Sequence, residues 1–368
     1  ALLGANSVQP IWYYDPAVAR QKLESIAVQF EVEPVNAGVE IMDGQVRATA
    51  SRAGQRLDIE ATTSWLQQNA VRVAFGAAVP LVVQEVAPQV VDVDPLVEQL
   101  NQRLSTPLVI RAFDPIVGVT QTVQIAAEEW ATWLELTADT STSPASVAWE
   151  VDANRVSSFV ETYNQNQNDG RYFEVQETTS ALVEAIRQEQ YEIGQRVRYQ
   201  PWQHTVQSGE TLSSIAYDYG IPYPWIQHTN ANLGDRLAVG QVITVPSPDE
   251  MLPLPVVENK RIIVSIAEQR MWAYEDGALK WDWGVSTGID SSPTAPGIFQ
   301  IQSHEPNAYA SIWDLWMPQF MGIYRPVPTS DFMNGFHGFP TRNGTNLLWT
   351  NSIGRKVTYG CILVSNDN

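Results

Sequence analysis

The sequence predicts a multidomain α+β chain whose C-terminal region is mostly β. Three observations predict it. At 368 residues the chain exceeds one ordinary domain, and roughly two to four is the expectation at this length. Over the first 200 positions, apolar residues at helical spacing give way repeatedly to short β-branched runs, the mark of helices mixed with strands. Beyond Val257 the ordered runs shorten and become strand-like, as at Arg261–Ile266 and Met271–Tyr274.

In chain order, Asp15-Pro16-Ala17-Val18 opens a helix through Ile26, because Asp caps and Pro is tolerated in the first turn. Gln45–Thr49 reads as a strand, Gly54 as a turn, and Leu57-Asp58-Ile59 leads into a helix near Thr62–Asn69. Val71–Val83 and Leu108–Ile125 are rich in β-branched residues and alternate as strands do, with Glu128–Leu136 following. Asp152–Tyr163 is predicted as a helix, Tyr172–Val175 as a strand and Thr178–Arg187 as a helix. This loose internal echo suggests two α+β modules, 8–90 and 91–198, without a catalytic motif. Linkers are expected near Val86–Asp94, Arg196–Gln203 and Ser247–Pro255, the last stiffened by proline.

Residues 202–247 carry a denser pattern. A short strand at His204-Thr205-Val206 meets a Ser208-Gly209 turn, and Thr211 can cap a helix with Leu212, Ile215 and Ala216 on one face. Gly220 ends that helix, a second begins near Pro222, and Val242-Ile243-Thr244-Val245 closes the unit as a strand. This β-α-α-β order resembles a LysM module. The resemblance implies binding of N-acetylglucosamine-containing glycans such as peptidoglycan, through Ser208, Gly209, Glu210 and Thr211 on one loop and Asn232 and Leu233 opposite. The same residues serve turn and capping chemistry in any case.

The single cysteine, Cys361, follows Gly360 in the run Lys356-Val357-Thr358-Tyr359-Gly360-Cys361-Ile362. A thiolate is a strong nucleophile once a base removes its proton, and one cysteine with a histidine elsewhere is the minimal signature of thiol-based acyl transfer. Gly360 permits a tight turn, and the N–H groups of Gly360 and Cys361 could face a developing oxyanion. A lone cysteine is more often a small buried hydrophobe, but the neighbouring motifs argue otherwise.

Those motifs are His337-Gly338, then Thr358, Gly360, Cys361 and Ile362, preceded by Val285-Ser286-Thr287-Gly288 and Thr294-Ala295-Pro296-Gly297-Ile298-Phe299. Together they resemble the YkuD-type catalytic domain of bacterial L,D-transpeptidases over 257–368. The resemblance implies Cys361 as nucleophile, His337 as its base with a ring nitrogen within about 4 Å of the sulfur, and Gly360 and Thr358 as catalytic-turn residues. It further suggests Gly338, Tyr359, Trp349 and Tyr324 on the substrate side. The chemistry implied is acylation of the thiolate by a peptidoglycan tetrapeptide stem, loss of the terminal D-amino acid, and transfer to an acceptor amine. An L,D-carboxypeptidase on the same site and a non-catalytic peptidoglycan-binding protein are the alternatives. The chain departs from the family pattern in three places. The interval from His337 to Cys361 is a long 24 positions, Tyr359 stands where a histidine is common, and Leu363 stands where Arg or Asn is common. The chain also stops soon after the nucleophile, so the catalytic domain reads as truncated at its C-terminus.

Other sites fare less well. His304, beside Glu305, is a rival base but lacks a following glycine. None of His204, His228, His304 and His337 stands at zinc-ligand spacing, so neither metal nor other cofactor is expected. Ser286 lacks a triad context. Trp313, Trp316, Phe320, Tyr324 and Trp349 could line a glycan or stem-peptide groove, although aromatics in a β-rich domain are more often core. The net charge is −19, of which the 8 basic and 10 acidic residues from Met251 onward account for −2. So acidic a surface argues against nucleic acid and anionic lipid as partners. No apolar run reaches the length of a membrane span. The expectation is an extracytoplasmic protein of the cell wall or envelope, with any export signal or membrane anchor outside the given chain.

Overall fold

The computed structural model describes residues 11–42, 44–139, 146–234 and 236–367. The chain forms two compact units, one of Ala1–Leu108, Gln124–Val156 and Ala185–Tyr191, the other of Val109–Val123, Ser157–Glu184 and Glu192–Asn368.

In the first unit, Asp15 caps the Pro16–Ala27 helix, accepting from the Ala17 and Val18 N–H groups at 2.9 and 3.3 Å. Asp58 does the same for Ile59–Ala74 through Ala61 N–H at 2.8 Å. Leu23, Ala27 and Leu57 are buried together, with Ile26, Ile59, Leu66 and Leu81 against them. Gly38–Met42 and Gln45–Thr49 form an antiparallel hairpin, as do Leu134–Asp139 and Ser146–Val151. The second helix overruns the expected Thr62–Asn69 and takes in Val71 and Val73, leaving only Val83–Val86 as a strand, paired with Gly54–Leu57. Once a helix is nucleated, each added residue gains a backbone hydrogen bond, which outweighs the modest β preference of valine. Gly54, expected as a turn, is the first residue of that paired strand.

In the second unit, Val109–Phe113 pairs in parallel with Glu192–Arg196. The expected linker at Arg196–Gln203 is not free chain. Arg198–Tyr199 pairs with Arg171–Tyr172, Asp249 binds the Arg196 guanidinium, and the same carboxylate accepts from Tyr199 N–H at 2.6 Å. The Ser247–Pro255 stretch is equally ordered, with a short 3-10 helix at Pro248–Met251 and buried Met251 and Leu252.

The β-α-α-β unit pairs Trp202–Thr205 with Val242–Val245 antiparallel. Its helices are Leu212–Tyr219 and Tyr223–Thr229. Thr211 and Ser214 form a reciprocal capping box, and Gly220 stops the first helix in the left-handed region at φ 67°. Val206, Leu212, Ile215, Ala216, Ile221, Ile226, Ile243 and Val245 make a core drawn wholly from this unit.

The C-terminal region is mostly β. Lys260–Ser265, Arg270–Glu275 and Ala278–Gly284 form an antiparallel sheet. A second sheet centres on the long strand Leu315–Tyr324, flanked by Glu305–Ala310 and by Asn334–His337, which in turn pairs in parallel with Ile362–Leu363. Met271, Ala273, Val285, Ile323, Tyr324, Phe336 and Ile362 fill the space between the two. Among the described residues, no helix is long and apolar enough to cross a membrane.

Candidate active site

The parallel register pairs Phe336 with Ile362 and His337 with Leu363. Extended by one residue, it sets Cys361 beside Gly335. Side chains alternate along strands, so His337 and Cys361 lie two positions apart on the same face, opposite the face on which Phe336 and Ile362 enter the core. The sequence motifs supply the scaffold around them. Ser286 exchanges both backbone hydrogen bonds with Leu363, at 2.9 and 2.8 Å, and the Leu363 side chain is fully buried, which suits an apolar residue there. Thr287 carbonyl accepts from Val357 and Thr358 N–H at 2.9 and 3.1 Å. Thr294 Oγ1 accepts from Gly288 N–H at 2.9 Å and donates to the Gly360 carbonyl at 3.0 Å. Thr358 Oγ1 donates to the Cys361 carbonyl at 2.6 Å and accepts from Gly360 N–H at 3.3 Å. The Gly360 N–H, expected as an oxyanion donor, is therefore engaged within the turn.

His337 and Cys361 are both buried, at 6% and 7% exposure. His337 Nδ1 lies 2.7 Å from the Gly338 carbonyl. A carbonyl only accepts, so Nδ1 carries the hydrogen and Nε2 keeps its lone pair, the tautomer a base needs. A Cβ on Gly338 would stand 2.3 Å from Asn366 Oδ1, so a side chain there would have to displace that amide. Cys361 packs with Ala308, Ala310, Met317 and Phe320. Its thiol hydrogen bond runs to Asn334 Oδ1 at 3.5 Å, and none joins it to His337 among the described residues. Burial pushes the thiol up to about 11, with a Gly335 backbone contact pulling the other way. Burial also lowers His337, partly offset by the Gly338 carbonyl. The resting pair is thus neutral thiol and neutral imidazole.

These shifts have a stability consequence. The raised thiol contributes stability that is present below its ordinary value of 9.0 and is lost as pH rises toward about 11. The lowered imidazole contributes stability that is present above its ordinary 6.5 and is lost as pH falls below it. Denaturant midpoints should therefore peak between these values, and Cys361→Ala should flatten the alkaline limb alone. An unchanged alkaline limb in that variant would contradict the assignment.

The remaining expected residues divide. Tyr359 and Trp349 are exposed, at 56% and 54%, and Tyr359 stacks on Trp313 with ring centroids 6.0 Å apart. Tyr324 does not line a groove. It is 1% exposed, its ring stacks on Phe299, and its hydroxyl accepts from Ala295 N–H and Asn334 Nδ2, each at 3.0 Å. Of the other aromatics, Phe320 is core and Trp316 is exposed. His304 is exposed and bonded to Gln319 Oε1 at 3.1 Å. Asn334, buried and touching the thiol, was missed by sequence reasoning. The available signal was a polar residue opening an otherwise apolar strand segment that leads to His337.

In the β-α-α-β unit, Gly209 takes φ 89° at the turn, and Thr211 is committed to its helix cap. Glu210 accepts from Gln207 N–H at 2.7 Å and lies 2.8 Å from His204 Nε2, contacts that hold its carboxyl below the usual range. Ser208 and Asn232 are exposed, and Leu233 packs against the module's own core.

Residues 259–368 match the L,D-transpeptidase catalytic domain (YkuD), 204–246 the LysM domain, and 3–73 a peptidoglycan binding domain. A Bacillus subtilis (strain 168) protein named as an L,D-transpeptidase, YkuD, is 27% identical over 165 residues, 45% of this chain and 87% of that relative. Among solved structures, an Enterococcus faecium L,D-transpeptidase mutant matches at 14% identity with a TM-score of 0.36, covering 73% of this chain and 91% of that one. An L,D-transpeptidase from Mycobacterium smegmatis matches at 19% identity and TM-score 0.25, covering 30% of this chain and 51% of that one.

Proposed function

We propose that this chain, whose residues 259–368 form an L,D-transpeptidase catalytic domain of the YkuD family behind a LysM domain, cross-links peptidoglycan outside the cytoplasm. The observation that carries the reading is the seat of its one cysteine. Cys361 shares a sheet face with a histidine whose Nε2 lone pair is fixed by the Gly338 carbonyl, at the end of a turn clamped by Thr294 and Thr358.

In the first half-reaction, His337 Nε2 takes the thiol proton as sulfur attacks the carbonyl of the L-centre in a tetrapeptide stem, just before its terminal D-residue. The Cys361 N–H faces the oxyanion, since the Gly360 N–H is held by Thr358. The imidazolium then returns its proton to the departing amine, the D-amino acid leaves, and a thioester remains. In the second half, an amine from a neighbouring stem attacks the thioester carbonyl and gives a proton to His337. Sulfur leaves and is reprotonated, and the new amide is the cross-link. The peptide bond supplies the energy. Incubating the protein with a purified tetrapeptide, with and without an acceptor amine, tests this. A cross-linked dimer lacking one D-amino acid is expected, whereas release of that amino acid without dimer would make the enzyme a carboxypeptidase.

The LysM domain and the peptidoglycan binding domain at 3–73, which overlaps the 8–90 module, imply that the protein is held on its polymer. The 91–198 module serves as a spacer on this reading. Because the LysM core is drawn from its own residues, Tyr199–Ser247 expressed alone should cosediment with insoluble peptidoglycan. Equal amounts in the supernatant with and without the polymer would remove LysM as the anchor.

A further inference from the structure

Asn334 opens the strand that ends at His337, and its side chain is 4% exposed. Both ends of the amide are occupied. Nδ2 donates to the Tyr324 hydroxyl at 3.0 Å, and that phenol is fixed in turn by Ala295 N–H at 3.0 Å and by stacking on Phe299 at 4.4 Å between centroids. Oδ1 accepts from Cys361 Sγ at 3.5 Å. Room for the amide comes from the residue before the nucleophile. Gly360 has φ 111°, and a Cβ there would stand 2.5 Å from Asn334 Nδ2. The glycine of the Gly-Cys pair thus makes space for a side chain from a neighbouring strand, besides permitting the turn.

We propose that Asn334 is a positioning residue that parks the neutral Cys361 thiol, aiming its S–H at Oδ1, so that the sulfur must turn from Asn334 toward His337 before it gives up its proton. Phe299, Tyr324 and Asn334 form the rigid arm that sets the parked position. An acceptor facing a thiol stabilises the protonated form and opposes the thiolate. The arm therefore keeps the nucleophile quiet while the buried site is empty. This rests on Cys361 being the nucleophile, but it can be tested without any transpeptidase substrate.

The test is the rate of Cys361 alkylation by iodoacetamide in the full chain, followed from about pH 6 to pH 10 around the ordinary thiol value, with folding checked by circular dichroism and melting. Asn334→Leu keeps bulk but removes the acceptor. Its alkylation profile should move to lower pH, with a rate near neutrality about two- to five-fold higher, the scale of one weak S–H···O contact. Asn334→Asp should move the profile to higher pH, because a carboxylate beside the sulfur disfavours the thiolate. A profile unchanged or moved upward in Asn334→Leu overturns the proposal, since the amide would then be donating to sulfur or not touching it. Should Asn334→Leu fail to fold, Tyr324→Phe decides. It frees the amide from its anchor, so a downward move supports parking and an unmoved profile overturns it. Failure of the transpeptidase reading would look different: the unaltered protein would form no dimer from tetrapeptide, whatever the alkylation profiles.

Discussion

Cys361→Ala should abolish acyl transfer, lowering the rate by on the order of 10⁴-fold or more, as loss of a nucleophile does elsewhere. The chain has no other thiol to substitute for it. The fold should survive. The change removes one buried sulfur from a cluster with Ala308, Ala310, Met317 and Phe320 and leaves Asn334 Oδ1 without its donor. That costs about 1–2 kcal/mol, well within the margin of a domain. Mass spectrometry of the protein after incubation with tetrapeptide reads the result directly. The unaltered chain should carry a thioester adduct and the variant none, and an adduct on the variant would end the mechanism.

The second large effect is expected at His337. Replacing it with Gln should lower transfer by about 10²–10⁴-fold, the usual contribution of a general base. It should also slow thiol alkylation at neutral pH, because no imidazole remains to take the proton. His304→Gln should change neither, since that ring is exposed and occupied with Gln319. If His304→Gln abolished transfer while His337→Gln did not, the base would have to be reassigned.

Features set by local chemistry were legible in the sequence. Asp15 and Thr211 cap the helices expected of them, and Gly220 ends its helix where the backbone turns left-handed. The opening hairpin of the C-terminal region appears within a residue or so of the expected runs. Where tertiary or cooperative effects ruled, the sequence misled. The helix from Ile59 ran through Val71 and Val73, and Arg196–Gln203, polar enough to suggest a linker, is tied down by Asp249, some 50 positions away. Tyr324 shows the same limit. Its ring resembles a groove-lining aromatic until the fold places its hydroxyl between Ala295 and Asn334. The sequence marked Asn334 only as a polar residue opening an apolar strand, because its partners Tyr324 and Cys361 come from two other segments.

The junction between the LysM helices and the catalytic loop has a mechanical consequence. Gly220, at the end of the first LysM helix, lies so close to Gly297 that a Cβ on Gly297 would stand 2.1 Å from the Gly220 carbonyl oxygen. Trp225 Nε1 also donates to the Arg325 carbonyl at 2.7 Å. Gly297 is three residues from Thr294, whose hydroxyl holds the Gly360 carbonyl beside Cys361, and part of the covalent connection, Pro248–Met251, is a 3-10 helix. The two parts thus touch directly, besides being joined through the chain. A pull on the LysM unit would therefore bear on the segment carrying Gly297 and Thr294 as well as on the connecting chain. The spacing between the LysM unit and the Thr294 loop is thus set by direct contact between folded parts, and not by chain length alone.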